Sequence, residues 1–225
     1  MGKIGFGYGS EYQLMRFMGR HLHEFNRKVN EVLTSDDEII WFDFNRQNHL
    51  DRELMNMDFI TDEKIKKAWS DVWPTNGGKS GINWDAVGLT KDTYLLVEAK
   101  AHHKEVFQGM GATHKDSISM IRKAFADLAK AYNLTINDSW EKDHYQMMNR
   151  LVAVDFLHRM GLKAFLVNVY FIHGYEINAR GISIKKNLSI NSKESWQHII
   201  DEQYHQLGLT NSSIKKFIKH VFIEC

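Results

Sequence analysis

Residues Ala164 to Ile172 form a nearly unbroken apolar run rich in β-branched and aromatic side chains. Such a run offers no polar face to water, so it reads as a central strand covered on both sides. A chain containing it must cover both faces with helices or a second sheet. Helices are the answer the flanking sequence gives. Residues 116–131 carry a helical pattern, and residues 141–160 carry a stronger one that ends at Gly161, as a carboxyl-terminal cap would.

The remaining elements fit an α/β reading. Residues 9–33 predict a first helix, with Ser10 able to cap its amino end and Leu14, Met18, Leu22, Phe25, Val29 and Val32 recurring along one stripe. Ile39 to Phe44 and Tyr175 to Ile184 read as strands, residues 62–70 as a short helix, and Pro74 to Gly81 as a loop. Residues 193–206 and 211–222 read as closing helices. A hydrophobic content of 43% is enough for a substantial core. With no internal repeat, low-complexity tract or linker, residues 1–225 predict one α/β domain, a mixed central sheet flanked by helices.

Composition also narrows the chemistry. The formal net charge is only +1, so any nucleic-acid contact must use a local basic patch. The sole cysteine, Cys225, excludes an intramolecular disulfide and a cysteine-rich zinc site, and favours a reducing compartment. The first residues lack the apolar core of a signal peptide, and no run approaches the roughly 18 to 20 apolar residues of a membrane span. The expectation is a cytoplasmic protein with no membrane contact.

The segments Ile82 to Leu89 and Thr93 to Ala101 form the best hairpin candidate. If Lys91 and Asp92 make a two-residue turn, Thr90 opposes Thr93, and the same register sets Asp85 opposite Glu98. Glu98 and Lys100 then share a face, because strand side chains alternate. Two carboxylates about 5 Å apart at their β-carbons repel unless a cation lies between them. A hard divalent ion, Mg²⁺ or Mn²⁺, suits oxygen donors of this kind. Lys100 could stabilise developing negative charge or orient an attacking water. The plain alternative is a cross-strand ion pair between Asp85 and Lys100, with Glu98 facing solvent.

This arrangement resembles the PD-(D/E)xK nuclease superfamily, also called restriction-endonuclease-like. Its pattern is an Asp on one strand, Glu-x-Lys on the next and often a Glu on the preceding helix. The matching positions are Asp85, Glu98 with Lys100, and Glu11, while Trp84 stands where the named motif has Pro. The resemblance implies metal-dependent hydrolysis of DNA, with Asp85, Glu98, Glu11 and the Ala99 carbonyl around the metal and Lys100 placing or deprotonating the nucleophile. A noncatalytic module of the same fold, binding nucleic acid or protein, is the alternative. Self-association is compatible with either.

Glu11 lies three residues before Leu14, on the extension of the stripe, which would aim it inward. An acid in a first helical turn is also stabilised by the helix dipole whatever its function. Gln146, Asn149 and Arg150 fall within about one turn and read as a polar patch able to touch phosphate or bases, or as ordinary hydrogen-bonding groups. His102 falls on the Glu98 and Lys100 face if the strand continues, within reach of a substrate phosphate. Lys104, His114, Lys115, Arg122 and Lys123, with Lys215, Lys216 and Lys219, could neutralise phosphates or serve as solvated helix faces.

Overall fold

A computed structural model of the protein describes residues 9–42, 53–75, 81–174, 178–179, 182–183 and 190–225. The elements begin with α1 (Ser10–Gly19), α2 (Leu22–Leu33), β1 (Ile40–Trp41), β2 (Leu54–Met55) and α3 (Glu63–Ser70). They continue with β3 (Asn83–Trp84), β4 (Ala86–Leu89) and β5 (Thr93–Lys100), then a 3-10 turn over His103–Val106. Next come α4 (Lys115–Tyr132), α5 (Ser139–Lys142), α6 (Tyr145–Arg159) and β6 (Lys163–Ile172). The last are β7 (Asn178–Ala179), β8 (Ile182–Ser183), α7 (Lys193–Leu207), a 3-10 turn over Ser213–Phe217, and β9 (Ile218–Glu224).

The main sheet has five strands in the order β1-β4-β5-β6-β9. β1, β4 and β5 run antiparallel as a meander, whereas β6 and β9 lie parallel to β5 and to each other. A parallel neighbour needs a long crossover, and α4, α5 and α6 supply it between β5 and β6. β6 is buried along nearly its whole length, as its apolar run requires.

Each face of the sheet is covered. Leu14, Phe17 and Met18 of α1 and Phe25 and Val29 of α2 pack on Ala86, Leu95, Val97, Ala99, Val167, Val169 and Phe171. The opposite face, with Val87, Leu96, Leu166, Tyr170 and Ile172, packs on α3, α4, α6 and α7 through residues such as Trp69, Phe125, Leu151 and Trp196. Gly88 of β4 pairs with Trp41 of β1, and a β-carbon there would sit 2.9 Å from the Trp41 ring, so only glycine admits that approach.

Several expectations are corrected. The first helix is two helices, broken at Arg20 and His21 just after Gly19, whose missing side chain weakens a helix interior. Ser10 does not cap it; the cap position is Gly9, and the Ser10 hydroxyl donates to Glu105 Oε1 at 3.2 Å. The helix expected over residues 211–222 is instead a 3-10 turn followed by β9. Ile214, Ile218 and Val221 have helical spacing, but pairing with β6 prevails and lets Val221 and Ile223 fill the α1/α2 face. The helix read over residues 141–160 is interrupted between Lys142 and Tyr145, and Gly161 follows it with φ +79°. Of the strand expected at Ile39 to Phe44, Ile40–Trp41 is strand and residues 43–44 lie outside the described residues. Residues 76–80 of the expected loop lie outside them too, as does much of the Tyr175 to Ile184 segment, whose described part is the short β7/β8 pair.

Candidate active site at the β4–β5 edge

The turn at Lys91 and Asp92 has the predicted register. Thr90 N–H donates to the Thr93 carbonyl at 3.0 Å, and the ladder continues through Leu89↔Tyr94 to Ala86↔Val97. The ladder ends there, one step short of an Asp85–Glu98 pair. Here the strand changes partner: Asn83 and Trp84 leave β5 and pair with Met55 and Leu54 of β2. Asp85 marks that departure. Its N–H still reaches the Val97 carbonyl at 3.2 Å, while its Oδ2 accepts the Ala99 N–H at 2.7 Å. Register also aims the Ala99 carbonyl at this edge, because N–H and C=O of one residue point the same way in an antiparallel strand.

Glu98 is only 4% exposed, and both of its oxygens are engaged. Lys100 Nζ donates to Oε1 at 2.5 Å; Arg150 Nε donates to Oε2 at 2.9 Å, with Nη2 at 2.8 Å from the same oxygen. Burial alone would raise the pKa of Glu98, but Lys100 and Arg150 outweigh it and hold the group below its ordinary value. Asp85 has the opposite fate. Burial first, and the charge of Glu98 second, push it up to about 8 against the pull of Lys100, the Ala99 N–H and Arg150. The expected alternative of a simple Asp85–Lys100 pair is therefore not what forms; Lys100 pairs with Glu98, which is buried.

Two turns of α6 complete the cluster. Gln146 Oε1 accepts from Lys100 Nζ at 2.6 Å, so the ammonium is suspended between Glu98 and Gln146. Arg150 also donates to the Asn83 carbonyl at 2.6 Å and to Asn149 Oδ1 at 2.8 Å, and its guanidinium lies 4.9 Å from the Trp84 ring. Trp84 thus has a structural role as the apolar plate on which Arg150 rests. A cleft of about 700 Å³ opens here, lined by Asp85, Asn83, Gln146, Asn149, Arg150 and His114 among others. Glu98 and Lys100 lie behind Gln146 and Arg150, around a small cavity of about 20 Å³.

Arg150 as the partner of Glu98 was not foreseen from sequence. The signal for it was nevertheless present: every residue from Met147 to Leu157 of α6 is buried, and an arginine in such a helix needs an anion. Glu105 was also missed. It accepts the Ala101 N–H at 2.5 Å and the Ser10 hydroxyl, tying the start of α1 to the end of β5.

Glu11 does not aim inward. Its side chain is exposed, and the buried residues of α1 are Gln13, Leu14, Phe17 and Met18. At 3.6 residues per turn this places Glu11 roughly 90° from the centre of the buried stripe. α1 also packs on the sheet face opposite Glu98 and Lys100. His102 does not join the cleft either; its Nδ1 accepts the Lys104 N–H at 3.1 Å and caps the 3-10 turn. Several expected phosphate-binding cations have internal partners: Arg122 pairs with Glu141, Lys123 with Asp127, and Lys215, Lys216 and Lys219 lie over aromatic rings.

Among the described residues, no three His, Cys, Asp or Glu side chains are gathered to hold a metal ion, so a three-acid set including Glu11 is not assembled. The two-acid set fits a hard ion better. Mg²⁺ is typically held by one or two carboxylates, with waters and substrate oxygens filling the remaining positions. Asp85 and Glu98 could supply such a pair, since the charge of Glu98 helps hold Asp85 up, a repulsion that a cation would relieve. Among the described residues no helix is long and apolar enough to cross a membrane. No protein-family model, curated protein or solved structure matches the chain.

Proposed function

We propose that the protein is a metal-dependent deoxyribonuclease of the restriction-endonuclease-like type. The observation that carries this reading is Asp85 held at the end of the β4–β5 ladder by the Ala99 N–H and within the field of Glu98, with Lys100 paired to Glu98 and a large cleft alongside. The element order supports it: a helical start, three antiparallel strands bearing the Asp and the Glu-x-Lys, a helical crossover, then a parallel strand.

In this reading Asp85, Glu98 and the Ala99 carbonyl hold Mg²⁺ or Mn²⁺. A divalent ion bound there would polarise a phosphoryl oxygen and lower the pKa of its water. Water adds to phosphorus, one P–O ester bond breaks, and the leaving oxygen takes a proton. The chain's own groups position and stabilise. Glu98 and Gln146 fix the Lys100 ammonium, so its charge is set before a phosphate gains negative charge, and no reorganisation is needed at that moment. Asn149 and Arg150 present polar groups to a phosphate in the cleft.

One observation favours a second reading, a noncatalytic module of the same fold that binds nucleic acid or protein. Both oxygens of Glu98 are already satisfied by cations, as they would be in a purely structural cluster. Incubation of linear, circular and single-stranded DNA with Mg²⁺ or Mn²⁺ separates the two. Cutting by wild type that Asp85→Ala abolishes supports the nuclease. A folded wild type that cuts none of these substrates supports the module.

A further inference from the structure

Arg150 forms the wall between the open cleft and the enclosed carboxylate of Glu98, and it lines both spaces. Its Nε and Nη2 hold Glu98 Oε2, while Lys100 holds Oε1. A divalent ion shared by Asp85 and Glu98 needs an oxygen of Glu98, and Oε2 is the one whose cation also reaches the cleft. Lys100 is the less available of the two, because Gln146 grips it from the other side. Arg150 is held elsewhere by neutral acceptors, the Asn83 carbonyl and Asn149 Oδ1. Glu98 is the only carboxylate in a salt bridge with it among the described residues. A phosphodiester is a planar-fork match for a guanidinium, with a charge equal to that of the carboxylate it would replace.

We propose that Arg150 is a phosphate-responsive latch: it holds Glu98 Oε2 against metal until a substrate phosphodiester in the cleft takes over its guanidinium and frees that oxygen. The inference rests on the nuclease reading of this site. It makes metal and nucleic acid bind cooperatively, because each removes an obstacle to the other, and by linkage the effect is reciprocal. It also gives the site a means of withholding a fully charged metal centre until a substrate is present.

The test is Mn²⁺ binding, followed by electron paramagnetic resonance of the free ion, with and without a phosphorothioate 12-mer oligodeoxynucleotide offered single-stranded and annealed. For wild type the oligonucleotide should tighten Mn²⁺ binding about tenfold or more, the size of an ordinary coupling free energy. Arg150→Met should bind Mn²⁺ without oligonucleotide at least as tightly as wild type binds it with oligonucleotide, and should lose the coupling. Wild-type Mn²⁺ affinity that neither form of the oligonucleotide changes overturns the latch and leaves the nuclease reading standing. That arm needs no variant, so it decides even if Arg150→Met fails to fold. Absence of Mn²⁺ binding by wild type under every condition, with Asp85→Asn indistinguishable from it, overturns the nuclease reading as well.

Discussion

Asp85 accepts the N–H of Ala99, the residue next to Glu98, yet their surroundings drive the two acids to opposite charge states. Lys100 and Arg150 hold Glu98 ionised, while burial and the nearby Glu98 charge push Asp85 up to about 8. Two carboxylates pushed apart in this way are a common mark of a site with work to do, although structural ion-pair networks produce the same pattern.

The raised Asp85 predicts a stability effect. The folded protein binds a proton at Asp85 that the unfolded chain releases near 3.8, so this group lowers stability progressively as pH rises from about 4 to about 8. Asp85→Asn removes that effect. Its metal-free melting temperature at pH 8 should exceed that of wild type by about 10 °C, since a rise from 3.8 to about 8 is worth about 5 kcal/mol by linkage and each kcal/mol moves the midpoint about 2–4 °C in a chain of this size. The advantage should vanish near pH 4. Scanning calorimetry at both pH values checks it; an equal gain at pH 4 would point to packing instead. Added Mg²⁺ should raise the melting temperature of wild type and not of Asp85→Asn.

Arg150 and Glu98 should be strongly coupled in stability. Removing one partner of a buried ion pair strands the other, at a cost of about 3–5 kcal/mol. Arg150→Met and Glu98→Gln are each expected to destabilise, and the double variant to cost clearly less than the two single losses added together. Urea denaturation of the four proteins closes the cycle. Simple additivity would mean that the pair contributes nothing specific.

His220 on β9, in register with Glu98 two strands across the sheet, offers a second pH test. Its Nε2 meets the Tyr204 hydroxyl at 2.7 Å, and its Nδ1 is buried with no partner among the described residues. Burial, reinforced by Lys215 and opposed by Asp201, pushes it down to about 4 from 6.5. The native state therefore favours the neutral ring. Its contribution is complete above about 6.5 and is lost as pH falls toward 4, amounting to about 3 kcal/mol. The difference in unfolding free energy between wild type and His220→Gln should shrink over that window. A difference independent of pH would contradict the assignment.

The hairpin was legible because Thr90 and Thr93 flank a two-residue turn, and a turn fixes register for every pair that follows. The β6 strand was legible from its double-sided apolar run. Local pattern carried both. β9 was not legible, since Ile214, Ile218 and Val221 satisfy a helical spacing and only the presence of β6 beside them decides otherwise. Arg150 reaches Glu98 across 52 residues of chain, so the i, i+4 spacing of Gln146 and Arg150 disclosed a patch without disclosing its partner. Glu11 was misread because the stripe extends through Gln13 and Phe17, which turns the helix away from the position that Leu14 alone suggested.

The most direct test of the account is the location of Mn²⁺ by anomalous scattering in crystals of the protein grown with a phosphorothioate oligodeoxynucleotide. The account predicts an ion bonded to Asp85 and Glu98 beside the Ala99 carbonyl, with Arg150 turned from Glu98 to a phosphate. An oligonucleotide bound with the Glu98–Arg150 pair intact and no ion at Asp85 would contradict it.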